Sequence, residues 1–320
     1  METSVTANDT LETLPSDSLK HAWASYFIFI MLSSLIGDSI ILIASIRYRA
    51  FKLHRLIVGV IQHLAACDIM VSICLIPQVV ALIADGWVLD EWVCDLSAYS
   101  LYYLVTSSFF LITMMTASKL YIVKFPMRAK VLRSRRAHVG CAIIWAFAMV
   151  FSVTMIITDG FVISTFDSET YSCTIDLTNR KKGTWIWLEP LSSAVFVLFP
   201  NGAVLVCTAL LLREAITMTR RSSLRTSLKW QGIITTIVLA IVYCISTFPY
   251  CIYRLLAARV PESPGSIFHH EFMRFAKSII FLNTTSNFYI YCLTVYSFRE
   301  FLLVQLNLSR QPSTITPRKG

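Results

Sequence analysis

Seven stretches of this chain are apolar for long enough to cross a lipid bilayer, and that count constrains everything else about it. They lie near 23–47, 56–83, 94–118, 137–158, 186–212, 231–256 and 272–296. A helix needs ~20 apolar residues to traverse a hydrocarbon core of about 30 Å, and a few more allow it to tilt. Within lipid a backbone meets its hydrogen-bonding requirement only in a helix or a closed barrel, and runs of this length read as helices. Composition agrees, at 56% hydrophobic and 15% charged over 320 residues, against roughly 45–50% and about 25% for soluble domains. The fold class expected is an all-α membrane protein, a bundle of seven transmembrane helices. An odd number of spans places the termini on opposite sides and argues against two equal transporter repeats.

The net charge of +9 is explained by topology. Twenty of the 28 Lys and Arg residues fall after spans one, three and five or in the C-terminal tail, where the only acids are Glu214 and Glu300. By the positive-inside rule those segments are cytoplasmic and the N-terminus is outside. A nucleic-acid partner is not expected. Residues 1–20 are polar, without a basic and apolar leader, so span one is expected to act as the insertion signal. Asn8-Asp9-Thr10 is a glycosylation triplet on the outer side, whereas those at Asn283 and Asn307 lie in a span and in the cytoplasm.

Of nine cysteines, Cys94 and Cys173 alone fall on the outer side. In an oxidising compartment they are expected to pair, tying the second outer loop over the bundle. The other seven lie within spans and read as small packing residues.

With these features the chain resembles the rhodopsin-like (class A) G-protein-coupled receptors over about 22–305. The residues carrying the resemblance are Gly37-Asp38, Leu64 to Asp68 (LAACD), Trp87 before Cys94, Trp145, Phe199-Pro200, Pro249-Tyr250 and Asn287 to Tyr291 (NFYIY). In motif style it is similar to invertebrate neuropeptide receptors. The resemblance implies a tail at 1–21, a bundle at 22–297, an amphipathic eighth helix at 298–306 and a cytoplasmic tail at 307–320. It also implies a plasma-membrane receptor whose partners are a heterotrimeric G protein, an extracellular peptide or small molecule, membrane lipids and arrestin. No enzymatic role is expected, since neither a His-Glu-x-x-His motif nor a nucleophile–base pair is visible.

A carboxylate at mid-bilayer is costly and marks function. By register with the family, Ser108, Asn283, Thr284 and Asn287 gather around Asp68, and in the family this cluster holds a sodium ion that favours the inactive state. No other cofactor is expected. Asp38 stands where the family has a neutral asparagine. Two like charges brought together in the membrane interior are expected to retain a proton or hold a cation tightly.

Other motif positions depart from the family. Helix six reads Ser246-Thr247-Phe248-Pro249, so Thr247 replaces a tryptophan while Pro249 keeps the kink; Phe248 or Tyr243 is expected to take over the missing bulk. Phe288 replaces proline in helix seven. Ser118-Lys119-Leu120 stands where the family has Asp-Arg-Tyr, and Lys229 stands where many relatives have an acid. No ionic lock forms between two lysines. Lys119 is therefore expected to contact the G protein together with Lys229 and Tyr291, the bland alternative being a lysine that snorkels to headgroups.

The ligand cavity is expected between the outer halves of spans three, five, six and seven. Leu101 replaces the aspartate of amine receptors, and Gln78, Tyr102, Glu189, Tyr250, Arg254 and Lys277 are the polar candidates, with Arg274 beside them. Mixed charge around aromatic residues suits a short peptide. The alternative is a seven-helix protein that binds a ligand or partner without activating a G protein.

Overall fold

The computed structural model describes residues 17–48, 54–132, 134–158, 164–168, 171–175, 194–221, 227–257 and 267–305. Its elements follow the apolar runs. They are α1 (Asp17–Ile43, continued by a π-helical turn to Tyr48), α2 (Arg55–Cys74), α3 (Ile76–Ala84), α4 (Glu91–Lys124) and α5 (Pro126–Lys130). Then come α6 (Ser134–Thr158), strands β1 (Ser164–Asp167) and β2 (Ser172–Ile175), and α7 (Phe199–Arg221), entered through a π-helical turn at Ala194–Leu198. The chain continues with α8 (Ser227–Ala257), α9 (Ile267–Ile279), α10 (Leu282–Thr294) and α11 (Tyr296–Gln305).

Among the described residues, six helical segments are long and apolar enough to span a bilayer. The seventh run is divided into α9 and α10, each of 13 residues. The division has a local cause. The Thr284 hydroxyl donates to the carbonyl of Phe281 at 2.7 Å, and the amides of Phe281, Asn283 and Thr284 bond three residues back instead of four. A hydroxyl that takes a helix carbonyl tightens and bends the turn. The bend thus sits seven residues before Phe288, the position where the family has its proline. The second run is interrupted similarly at Leu75, because Pro77 lacks an amide for the carbonyl four residues back.

The core runs between α1, α2, α4, α8 and α10, with Ile30, Val60, Leu64, Leu111, Tyr243 and Tyr291 nearly inaccessible. Large apolar residues such as Ile83, Ile143, Val150 and Leu293 are exposed on the outside of the bundle, as a lipid-facing surface requires. α1 approaches α10 so closely that a Cβ on Gly37 would lie 2.6 Å from the Cβ of Phe288. Phe288 in turn packs edge-on against Phe298 at the start of α11, with ring centroids 6.2 Å apart. That contact and the burial of Phe298 dock the short last helix onto the bundle.

Outside the helices, β1 and β2 form an antiparallel hairpin with Phe166 opposite Cys173. Cys94 and Cys173 are disulfide-bonded, so the hairpin is fastened to the first turn of α4, as expected from the sequence.

Gly37→Ala should destabilise the purified protein by about 1–3 kcal/mol, the range for overpacking a filled contact. Phe288→Ala in the same chain should not recover the loss, because alanine keeps the Cβ that lies nearest and gives up the ring contact with Phe298. Equal melting temperatures for Gly37→Ala and the parent would show that the α1–α10 contact gives way freely.

Candidate functional site

Three clusters occupy the mouth at the hairpin end, the middle and the opposite end of the bundle. The mouth is organised by Asp85, which ends α3 in a left-handed conformation (φ 56°). Aspartate tolerates that conformation better than most residues, and the turn aims its carboxylate outward. Its Oδ1 accepts from Lys20 Nζ at 2.8 Å and from the Tyr171 hydroxyl at 2.6 Å. Tyr171 also has positive φ (48°) and is buried beneath the hairpin. One carboxylate therefore joins α1, α3 and the hairpin. The Lys20 ammonium, and then the Tyr171 hydroxyl, hold the Asp85 carboxyl below the usual carboxylate range.

On the other side of the mouth, Asp167 at the end of β1 accepts from Lys277 of α9 at 3.2 Å. Lys277, a ligand candidate from the sequence, thus already holds a carboxylate supplied by the chain itself. Gln78 is buried on α3, Leu101 and Tyr250 pack against the core, and Tyr102 is half-buried on α4. Arg274 is buried one turn before Lys277 on α9. Asn8 and Glu189 lie outside the described residues, as do the side chains of Arg254 and Lys229.

In the middle, Asp38 and Asp68 are both completely buried. Asn287 Nδ2 donates to Asp68 Oδ2 at 2.7 Å. The Ser34 hydroxyl lies 2.7 Å from Asp38 Oδ2 and 3.4 Å from the carbonyl of Asp68, so it links the side chain of one acid to the backbone of the other. Among the described residues Oδ1 of each aspartate, Asn287 Oδ1, Ser108 Oγ and Thr285 Oγ1 are buried without a hydrogen-bond partner. Unsatisfied buried oxygens are rare and call for an occupant. The Asp68, Asn287 and Ser108 oxygens fit the small hard cation that the resemblance implies. Asn283 and Thr284 are buried beside them on α10, although the Thr284 hydroxyl is turned to its own helix. Motif position does not single out Ser34 or Thr285; for Ser34 the signal is a hydroxyl one helical turn before Asp38.

Above this cluster, Thr247 is fully buried and donates to Asn201 Oδ1 at 2.6 Å, while Asn201 Nδ2 donates to the carbonyl of Val197. A polar link between α7 and α8 occupies the missing tryptophan's place. Of the two expected substitutes, Phe248 is 63% exposed on the outside of the bundle, because it directly precedes Pro249 on the outward face. Tyr243 takes the interior position instead, edge-on to Phe109 at 5.5 Å.

At the far end, Lys119 is only 7% exposed, and no hydrogen bond or ion pair ties it to another described residue. Ser118 and Leu120 beside it are half-buried. Tyr291 from α10 reaches Met115, one turn before Lys119 on α4, at 3.9 Å.

Comparison with known proteins agrees with this geometry. The family described as "7 transmembrane receptor (rhodopsin family)" matches residues 37–291. Cysteinyl leukotriene receptor 1 of Sus scrofa is 22% identical over 258 residues, covering 78% of this chain and 72% of that protein. Melatonin receptor type 1B-B of Danio rerio is 26% identical over 297 residues, covering 88% and 82%. The KiSS-1 receptor of Homo sapiens is 27% identical over 143 residues, covering 43% and 35%. The chain belongs to the rhodopsin family of seven-transmembrane receptors. It is a multi-pass membrane receptor and not an enzyme. The relatives are named for different ligands, so the ligand follows from the site and not from kinship.

Because the folded-state affinity of Asp85 for its proton is lowered, its tie is complete at neutral pH and is lost only as pH falls through that depressed range. Protection of the hairpin from proteolysis should therefore stay constant from pH 7 to about 5, above the ordinary aspartate value. Asp85→Asn should loosen the hairpin already at pH 7, read as faster cleavage within it. Unchanged cleavage of that variant would show that the disulfide and the Lys277–Asp167 pair fix the hairpin without Asp85.

Proposed function

We propose that the protein is a plasma-membrane receptor, N-terminus outside, that binds an extracellular neuropeptide and activates a heterotrimeric G protein by rearranging its helices. The observation that carries this reading is Lys119, a buried cation without a counter-ion among the described residues, at one end of α4 and close to Tyr291. A buried charge lacking a partner is costly, and a state that opens this end to an acidic or carbonyl-rich partner relieves that cost. Ligand binding at the other end would favour that state through its higher affinity for it. The Lys277–Asp167 pair supports a ligand with an acidic group or exposed carbonyls, such as a peptide terminus, able to replace Asp167 at the ammonium.

A second reading is a receptor that binds ligand without activating a G protein. It is favoured by the absence of the family's aromatic switch, at whose position Thr247 is bonded to Asn201.

Cells expressing the receptor, screened with peptide libraries for G-protein dissociation and arrestin recruitment, separate the two. Lys119→Ala should reduce G-protein activation at least tenfold, the effect of removing a charged hot-spot contact of about 1.4 kcal/mol or more, with surface expression unchanged. Full activation by that variant would remove Lys119 from the coupling surface, and ligand binding with no G-protein response in the parent would select the second reading.

A further inference from the structure

We infer that Asp38 turns the buried polar cluster into a two-carboxylate site that selects a divalent, oxygen-binding cation, calcium or magnesium, over sodium. The inference rests on reading the Asp68 cluster as a cation site and extends it to a residue outside the family's pattern.

Charge balance supplies the argument. One carboxylate and one sodium ion are neutral together. Asp38 and Asp68 are both fully buried, and no Lys, Arg or His among the described residues forms an ion pair with either. With both acids ionised, sodium alone would leave a net negative charge in a medium that solvates charge poorly, the competing solution being a proton on one of them. A divalent cation removes that charge. Ser34 supplies a physical link between the two acids, donating to Asp38 within 3.4 Å of the Asp68 carbonyl.

The donor set points to the same class of ion. The unpartnered atoms are Oδ1 of Asp38, Oδ1 of Asp68, Oδ1 of Asn287, Oγ of Ser108 and Oγ1 of Thr285. Of these, Asn287 is bonded to Asp68 directly and Asp38 is joined to the Asp68 backbone through Ser34, so an ion held by the two carboxylates and the Asn287 oxygen would tie α1, α2 and α10 together. All of these unpartnered atoms are oxygens, which suits calcium or magnesium completed by water. Among the described residues no three His, Cys, Asp or Glu side chains converge, so the softer transition metals lack their usual ligands. Here the further ligands are neutral amide and hydroxyl oxygens instead.

The test is thermal unfolding of the purified full-length protein in sodium, calcium or magnesium chloride at equal ionic strength, with and without chelator. Calcium or magnesium should raise the melting temperature of the parent above that in sodium, and chelation should reverse it. Asp38→Asn should weaken the divalent affinity by roughly tenfold or more, at least the loss seen when a ligand's supporting group is removed, while keeping its response to sodium. Equal stabilisation of the parent by sodium overturns the inference, as does an Asp38→Asn variant with the parent's divalent response. Indifference to all three salts also overturns it and means the acids carry protons. Should Asp38→Asn fail to fold, equilibrium dialysis of the parent with radioactive calcium decides: one ion per chain, displaced by magnesium but not by sodium, supports the site, and no bound ion overturns it. A protein that shows the shift but activates no G protein leaves this inference standing without the proposed function. Activation without the shift overturns the inference alone.

Discussion

The hydrogen bond from Asn287 to Asp68 is the contact on which the arrangement of the bundle turns. It joins residues 219 positions apart and fixes the rotation of α10 against α2. Lipid offers no substitute partner for a polar group that loses its own. Once those helices are set, Ser34 and Asp38 orient α1 through the same cluster, and Gly37, the residue next to Asp38, is brought against Phe288. Polar satisfaction at the centre and close steric approach at the edge thus specify one packing.

The mouth is held by a different kind of force. There the disulfide, the Asp85 tie and the Lys277–Asp167 pair act on a hairpin of two four-residue strands. So short a hairpin is marginal by itself, and its position is imposed by these attachments. The Asp85 cluster meets water, and ion pairs of that kind contribute little to stability; their role is geometric. They set where the hairpin lies relative to α4 and α9.

Much of this was legible in the sequence, because membrane spans are written in uninterrupted apolar runs and the outer cysteines had no competitors. Asp68, Ser108 and Asn287 could be grouped by motif register. The bend between α9 and α10 was not legible, since it depends on whether the Thr284 hydroxyl turns toward Phe281 or toward the cluster. Neither was the pairing of Lys277 with Asp167, which joins the end of a short strand to a helix 110 residues away. Which of Phe248 and Tyr243 faces the interior was not legible either, because composition gives a side chain's size but not its azimuth around the helix. His63 shows the same limit: a lone histidine in a span, it receives a bond from Trp145 and meets His138, contacts fixed only when α2 and α6 pack.

The Thr247–Asn201 bond bears on how the α7–α8 seam can part. A seam closed by an aromatic ring must wet apolar surface when it opens. A seam closed by a hydroxyl and an amide can open by exchanging each bond for one to water, with little net loss. In this receptor, hydration of the seam would thus be part of its opening and not an obstacle to it.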